Sequence, residues 1–143
     1  MPSTIPFKLV TPTAVVFEGD AELVIAVTTE GEEGILPHHA PFLAALKPGV
    51  LRANVVGRDR SASAATRLEL ATSEGFMQAL TERLTVLVDE AVRFEDVVVT
   101  EVRQQLSEAL ERQKTAGDDP ARYAREQAII DFANAKLRLT GHR

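Results

Sequence analysis

Glycine and proline are unevenly distributed along this chain, and their distribution restricts its possible folds more than any other feature. Up to residue 92, short runs rich in Val, Ile, Leu and Phe alternate with turn residues about every 8–12 positions. This spacing is typical of an all-β sandwich or barrel. A turn is predicted around Gly19, and residues 57–65 are predicted to form an exposed hairpin loop. The predicted strands are residues 7–10, 15–17, 22–27, 50–56, 67–71, 76–80 and 84–88.

The pattern changes after residue 92. Residues 94–115 contain neither Gly nor Pro, and apolar residues recur there at helical spacing. Gly117 suits a helix C-terminal cap, while Asp119 and Pro120 suit the N-cap and first position of a second helix. Small residues let a partner helix approach closely, so the pattern predicts an antiparallel helical hairpin. The stripe on the second helix, at near-heptad spacing, is Ala121, Ala124, Ala128, Phe132, Ala135 and Leu139.

Together these patterns predict an α+β protein, with an N-terminal β-sandwich over residues 1–92 and a C-terminal antiparallel two-helix hairpin over residues 93–143. The first part carries seven Lys/Arg against twelve Asp/Glu, and the second carries nine against nine. A near-neutral hairpin with an Ala-rich stripe has limited means to be stable alone. We therefore expect it to pack against the sandwich or against another protein.

Composition excludes several classes of function. The formal net charge of −5 argues against broad nucleic-acid binding, which needs a basic face. The chain has no cysteine, which excludes disulfides and thiolate metal sites. No apolar run approaches the ~18 residues of a membrane span. The first residues resemble neither a secretory signal nor a transit peptide, so a cytoplasmic location is expected.

Motifs for catalysis are not found. The sequence contains no nucleophile elbow and no phosphate-binding loop of the Walker type. His38 and His39 are adjacent in a predicted loop and would point in different directions, which makes them a poor chelating pair. We predict no catalytic residue, no metal site and no bound cofactor.

The densest pattern is Gly-Glu-Glu-Gly-Ile-Leu-Pro-His-His-Ala-Pro at residues 31–41, followed by Leu-Lys-Pro-Gly at residues 46–49. So many Gly and Pro residues fix a defined backbone path, here predicted as a rigid crossover loop with a shaped contact surface. The string resembles the signature of the F-type ATP synthase epsilon subunit. Thr11-Pro12, Gly75-Phe76 and the segment at residues 84–91 fit the same family, and the resemblance covers nearly the whole chain.

The resemblance implies a non-catalytic rotor subunit of the proton-transporting ATP synthase. Family members place the sandwich at the foot of the central stalk, against the gamma subunit and the c-ring. Their helical hairpin either folds back on the sandwich or extends toward the catalytic alpha/beta head, where it inhibits ATP hydrolysis in many bacterial members. The implied location is peripheral, on the cytoplasmic face of the bacterial inner membrane.

The same resemblance implies which residues contact partners. Glu32, His38 and His39 match the region near the c-ring and gamma, although the family usually has Gly where His38 stands. On the second helix, Arg122, Arg125 and Lys136 form either a solvated face or a contact with acidic residues of the catalytic head.

One family motif is degenerate here. Some members bind ATP at the start of the hairpin through Ile/Leu-Asp-x-x-Arg-Ala, and the matching stretch is residues 97–102. Val98 replaces the Asp and Glu101 replaces the Arg. A carboxylate at that position would repel a triphosphate, so regulatory ATP binding is predicted to be lost or weak.

Two other interpretations remain open on the residues alone. A small β-sandwich enzyme would use His38 and His39 on a metal, and would need a convergent polar pocket. A free-standing adaptor would bind helices through the Ala-rich hairpin, but it gives no account of the string at residues 31–41. A mitochondrial counterpart is disfavoured because no targeting segment precedes the domain.

Overall fold

The computed structural model describes residues 3–56 and 66–141, so the hairpin loop predicted for residues 57–65 lies outside the described part. Within those ranges the chain forms nine strands, a short 3-10 turn at Phe94–Asp96 and two α-helices. The strands are β1 (Ile5–Thr11), β2 (Ala14–Thr28), β3 (Gly31–Ile35), β4 (Phe42–Leu46), β5 (Gly49–Val56), β6 (Thr66–Thr72), β7 (Gly75–Leu80), β8 (Arg83–Val88) and β9 (Ala91–Arg93); the helices are α1 (Val99–Lys114) and α2 (Pro120–Leu139).

Strand β2 is long enough to belong to both layers of the sandwich. Its first half pairs antiparallel with β1, and its second half pairs antiparallel with β3 and β5. The first layer has the order β1-β8-β7-β4, in which β1 and β8 are parallel. The second layer has the order β3-β2-β5-β6-β9. The predicted β-sandwich followed by two C-terminal helices, and hence the α+β class, is confirmed.

Side chains alternate in burial along the strands, because successive residues of a strand point to opposite faces. In β5 every second residue is buried, and β1, β7 and β8 follow the same rule. Burying each large apolar side chain contributes about 1.5–3 kcal/mol. The largest fully buried side chains, all in this core, are Phe7, Ile5, Leu9, Ile35, Leu51, Leu70, Met77, Leu84, Val24 and Val86.

The turn predicted around Gly19 was wrong. Gly19 pairs with Phe7 inside the ladder between β1 and β2, and the strand continues through it. A Cβ at Gly19 would lie 3.0 Å from Cζ of Phe17, so the glycine leaves room for that ring on the strand surface. The Phe17 ring in turn packs on Phe7 with 5.5 Å between ring centroids.

Three strands were missed. The segment predicted as a crossover loop contains β3, which pairs with β2 from Gly31 to Ile35. Gly31 has a φ of 117° at the tight turn, so the first glycine makes the reversal while Gly34 remains within the strand. Strands β4 and β9 have only five and three residues, and neither alternates apolar with polar residues, so no strand period is visible in them.

The first helix begins five residues later than predicted, because β9 and the 3-10 turn occupy the residues before it. The predicted boundary after residue 92 falls within β9, whose last residue is Arg93; the division into two domains remains a prediction. The predicted cap is confirmed: Asp119 accepts a hydrogen bond from the backbone N–H of Arg122 at 3.2 Å, and Pro120 opens α2.

Helix α2 lies between α1 and the second layer. The helices run antiparallel, since Arg112 meets Glu126 near the turn while Val102 packs with Leu137 at the far end. The apolar stripe does not face α1 as predicted. Its last three residues, Phe132, Ala135 and Leu139, pack with Ala71 of β6 instead. Ala133 and Leu137 face α1, so the C-terminal half of α2 is buried on two sides.

Candidate functional site

Glu32 lies in β3, where it pairs with Val27, and its side chain is exposed. One carboxylate oxygen accepts a hydrogen bond from the Arg52 guanidinium at 3.0 Å. Such an exposed ion pair contributes only about 0.2–1 kcal/mol, so a partner can replace it at little cost. Glu32 therefore remains available for a contact at the tip of the sandwich.

The two adjacent histidines have different environments. His38 is exposed and has a φ of 68°, the only positive φ of a non-glycine residue in the part of the chain described. His39 is half-buried: its Nδ1 hydrogen-bonds the carbonyl of Ala40 at 2.9 Å, and its ring meets Phe42 edge-on at 5.9 Å. Across residues 3–56 and 66–141, no group of three His, Asp or Glu side chains is placed to hold a metal.

Replacing His38 by glycine is expected to raise the free energy of unfolding by about 0.5–1 kcal/mol. The left-handed backbone costs a residue with a Cβ roughly 1–2 kcal/mol, partly offset by the greater chain entropy of glycine. Urea unfolding of His38→Gly measures the change. His39→Gly is the matched control, and it should be destabilised because it loses the contacts to Ala40 and Phe42. A destabilised His38→Gly would contradict the assignment of strain.

The three basic residues proposed on the second helix do not form one cluster. Arg122 and Arg125 are exposed in the first turns of α2, and the Arg122 guanidinium reaches Thr115 Oγ1 at 3.4 Å. Lys136 is half-buried three turns further on, with its Nζ 4.2 Å from the centre of the Phe132 ring. Eleven residues of helix separate Lys136 from Arg125, about 16 Å along the axis. Only the two arginines form a continuous exposed basic surface.

The degenerate nucleotide motif lies at the start of α1. Val98 is the N-cap residue, is 49% exposed and makes no side-chain cap hydrogen bond. Glu101 lies exposed in the first turn of the helix. The arrangement places a carboxylate beside the helix N-terminus, where a bound phosphate would otherwise benefit from the positive end of the dipole.

Isothermal calorimetry of the full chain with Mg-ATP is expected to show no saturable binding at micromolar concentrations. The carboxylate of Glu101 opposes the triphosphate, and Val98 cannot accept a hydrogen bond. The double variant Val98→Asp with Glu101→Arg restores the residue types of the motif and should bind more tightly than the parent. Tight binding by the unmodified chain would refute the prediction.

The outer face of the first layer was not predicted as a contact surface, and it is apolar. Four residues from four adjacent strands lie side by side across it, through the pairs Ala45 with Phe76, Phe76 with Leu87 and Val10 with Leu87. We call these four residues the outer apolar row. Phe76 is 58% exposed and Leu87 is 50% exposed. An exposed apolar row of this kind marks an interaction surface.

A signal for this surface is present in the sequence. Val86, Leu87 and Val88 are consecutive apolar residues in β8, and Phe76 and Met77 are consecutive in β7. An antiparallel strand with one solvated face alternates apolar and polar residues, whereas a continuous apolar run indicates that both faces are covered. Here the inner face is covered by the core, so the run indicates a partner on the outer face.

The outer apolar row also forms one wall of a cleft of about 720 Å³. The opposite wall is the N-terminal half of α2, which contributes Tyr123, Ala124 and Ala128. This half of the helix is mostly exposed, in contrast to the buried half that packs on β6. The cleft is therefore built by both parts of the chain and opens to solvent between them.

Neither helix in the described chain is long and apolar enough to cross a lipid bilayer. A model of the family described as "ATP synthase, Delta/Epsilon chain, beta-sandwich domain" matches residues 4–94. Similar curated proteins carry the name ATP synthase epsilon chain. The protein from Chromobacterium violaceum is 35% identical over 131 residues, covering 92% of this chain and 89% of the relative. The protein from Synechococcus elongatus is 36% identical over 132 residues, covering 92% and 90%.

Two solved structures share the fold. A chain of the Euglena gracilis mitochondrial ATP synthase complex matches with a TM-score of 0.77 and 21% identity, over 99% of this chain and 84% of that one. A chain of the Tetrahymena thermophila mitochondrial central stalk and c-ring matches with a TM-score of 0.62 and 16% identity, over 96% and 97%. At these identities the likeness concerns the arrangement of sandwich and helices.

Proposed function

This chain belongs to the ATP synthase epsilon-chain family, and from that premise we propose that it is a non-catalytic rotor subunit of a proton-transporting F-type ATP synthase. In this role it couples rotation of the c-ring to the catalytic head. It also inhibits ATP hydrolysis through its C-terminal helices. The chemistry on nucleotides belongs to the alpha/beta head, and this chain is peripheral to the cytoplasmic face of the bacterial inner membrane.

The exposed outer apolar row is the observation that carries the proposal. A ligand site needs a few convergent polar groups, whereas Phe76 and Leu87 present an exposed apolar surface that extends across the sheet beyond the cleft. Leu43, on the same face of β4, is 71% exposed and extends the apolar surface. A subunit held permanently against another protein accounts for this exposure. We assign the face to the gamma subunit.

The tip of the sandwich suits the contact with the c-ring. Glu32 extends from the short β2-β3 hairpin, and the turn with His38 and His39 follows directly. These three residues are the proposed ring and gamma contacts. The left-handed backbone at His38 fixes the direction of the turn, so the loop keeps its shape when a partner binds.

Inhibition requires a hairpin that can leave the sandwich, and the packing supports such a movement. Helix α1 is held through α2, and α2 is held on the sheet mainly by its C-terminal half. The remaining turns of α2, with Arg122 and Arg125, already face solvent. Loss of one small apolar interface would free the whole hairpin, whose basic residues then reach the acidic catalytic head.

Replacing Arg122, Arg125 and Lys136 together by alanine is expected to raise ATP hydrolysis by the assembled complex about fivefold. Three exposed ion pairs of roughly 0.3–0.5 kcal/mol each account for an effect of that size. Initial rates of ATP hydrolysis at fixed stoichiometry measure it. Arg103→Ala, an exposed arginine of α1, is the control. Unchanged inhibition in the triple variant would assign these residues to a solvated face.

Co-elution with an epsilon-depleted catalytic head that contains gamma tests the rotor assignment. We expect one copy of this chain per head on size-exclusion chromatography. Phe76→Glu should abolish co-elution, because it places a charge on the proposed gamma surface. Gln78→Glu adds the same charge on the same face at an already polar position and should bind better than Phe76→Glu. Failure of the unmodified chain to bind properly folded gamma would favour the free-standing adaptor.

A further inference from the structure

The cleft between the two parts of the chain has two apolar walls that face each other. One wall is the outer apolar row, and the other is formed by Tyr123, Ala124 and Ala128 on α2. A volume of about 720 Å³ lies between them. Tyr123 remains 50% exposed, as do Phe76 and Leu87 at 58% and 50%. When an apolar group fills a gap between two apolar surfaces, both surfaces are removed from water and the free energy falls. The cleft is therefore suited to an occupant.

Charges around the cleft define the chemistry of that occupant. The residues that line it include three carboxylates, those of Glu74, Asp89 and Asp131, and one ammonium group, that of Lys47. Glu74 and Asp89 come from neighbouring turns of the sandwich, and Asp131 comes from α2. The Asp131 carboxylate accepts a hydrogen bond from the Gln127 side chain at 2.9 Å, which holds it in place. An apolar occupant with a basic end complements these walls.

We propose that the cleft receives a segment of the gamma subunit in which apolar side chains are flanked by Lys or Arg. This inference rests on the proposed function, because it extends the gamma surface from the sheet to α2. The outer apolar row continues from the gamma face directly into the cleft, so one polypeptide can contact both.

Binding in the cleft has a consequence for the hairpin. The second wall exists only while α2 lies on the sandwich, so an occupant that touches both walls stabilises the folded-back hairpin. The coupling is reciprocal, and release of the hairpin must weaken the binding of this gamma segment by the same factor. Gamma thus raises the population of the folded-back, non-inhibitory hairpin in the complex, while the extended position that inhibits hydrolysis remains accessible.

Two substitutions at alanine positions of α2 test the proposal. Ala124 lines the cleft, while Ala121, one turn earlier, is also exposed and does not line it. Ala124→Gln places an uncharged polar group in the apolar second wall, and Ala121→Gln is the matched control. Because both sites are exposed, neither substitution should unfold the isolated chain. In the complex with the gamma-containing head, we expect Ala124→Gln to weaken binding about tenfold, because its amide is buried against apolar side chains, and Ala121→Gln to have no effect.

The position of the hairpin is measured in the same complex. The chain has no cysteine, so Thr66→Cys and Ser107→Cys carry a pair of spin labels without background. We expect binding to the gamma-containing head to increase the population at the folded-back label distance in the parent and in Ala121→Gln, while an extended population remains. In Ala124→Gln the bound chain should show a larger extended population than the parent.

Asp131→Asn gives an independent test of the charge. We expect it to weaken binding to the gamma-containing head severalfold at low salt and to reduce the salt dependence. Asp118→Asn removes an exposed carboxylate in the hairpin turn, and it should change neither the affinity nor its salt dependence.

The results distinguish failure of the proposed rotor function from failure of the cleft proposal. If the unmodified chain does not bind the head, the proposed function fails. If it binds but Ala124→Gln behaves as Ala121→Gln in affinity and label distance, the cleft proposal alone is overturned. Binding that weakens while the label distances stay unchanged would overturn the coupling to the hairpin.

Discussion

Replacing Gly75 by alanine is expected to lower the free energy of unfolding by about 3 kcal/mol or more, a larger effect than that of most single substitutions. Gly75 opens β7 and pairs with Val88 of β8 and Leu46 of β4. A Cβ there would lie 1.9 Å from the carbonyl oxygen of Leu87 and 2.8 Å from Cα of Val88. Both are backbone atoms, so β8 must move and its pairing with β7 must distort. Thermal unfolding followed by circular dichroism should show a midpoint lowered by about 10 °C or more.

Gly34→Ala is the control for this prediction. Gly34 also lies within a strand, but a Cβ there would make an ordinary contact of 3.6 Å with the Leu23 side chain. Its midpoint should stay within a few degrees of the parent. If Gly75→Ala were as stable as Gly34→Ala, the close approach of β7 and β8 at this point would be wrong.

Replacing Phe132 by alanine is expected to undock the hairpin while the sandwich remains folded. Phe132 is 8% exposed and is the largest side chain in the cluster that joins α2 to β6. Truncation of a buried phenylalanine costs about 3–5 kcal/mol, and the cluster holds few other large residues. It also removes the ring beneath Lys136. Since isolated helices of this length are marginal in water, helical signal should fall.

Limited trypsin digestion measures the release, because the two helices contain Lys and Arg throughout. In Phe132→Ala we expect rapid cleavage at the Lys and Arg residues that lie beyond position 98. A resistant fragment that contains the sandwich should remain. Tyr123→Ala removes an aromatic ring that is 50% exposed on the same helix, and it should digest as slowly as the parent. Equal digestion of the two variants would show that the hairpin is held by other contacts.

Helices and strands that are marked by neighbouring residues, such as caps and apolar runs, could be predicted from the sequence. The second helix begins at Pro120 behind the Asp119 cap because both residues act within one turn of the chain. The strands β5, β7 and β8 alternate in burial and were recognised within one or two residues. The signals that identify these elements lie in neighbouring residues, although the pairing of β5 and β8 is long-range.

Features that depend on distant contacts were not predicted. Gly19 resembles a turn until β1 pairs with it, and Gly31 to Ile35 resembles a loop until β2 provides a partner strand. The stripe on α2 was assigned to a partner helix because periodicity identifies an apolar face but does not state what covers it. In the structure the sheet covers that face, through Ala71.

Only part of the candidate site followed from the sequence. Glu32, His38 and His39 were named from a family resemblance, and the structure adds the ion pair at Glu32 and the positive φ at His38. The outer apolar row was not identified, because its four residues come from four strands and become neighbours only through the register. Their roles in partner contact remain predictions.

The position of β1 has a consequence for the order in which the chain folds during synthesis. β1 pairs with β2 early in the sequence, but it also pairs in parallel with β8, with Phe7 opposite Leu84. The first layer is therefore incomplete until β8 has left the ribosome, and long-range pairing of this kind is slow. A nascent chain that stalls before residue 88 holds β1 with one edge unpaired, exposed to pairing with a neighbouring chain. While the hairpin is being synthesised, the sandwich has time to close. Only then does α2 have a surface on which to dock.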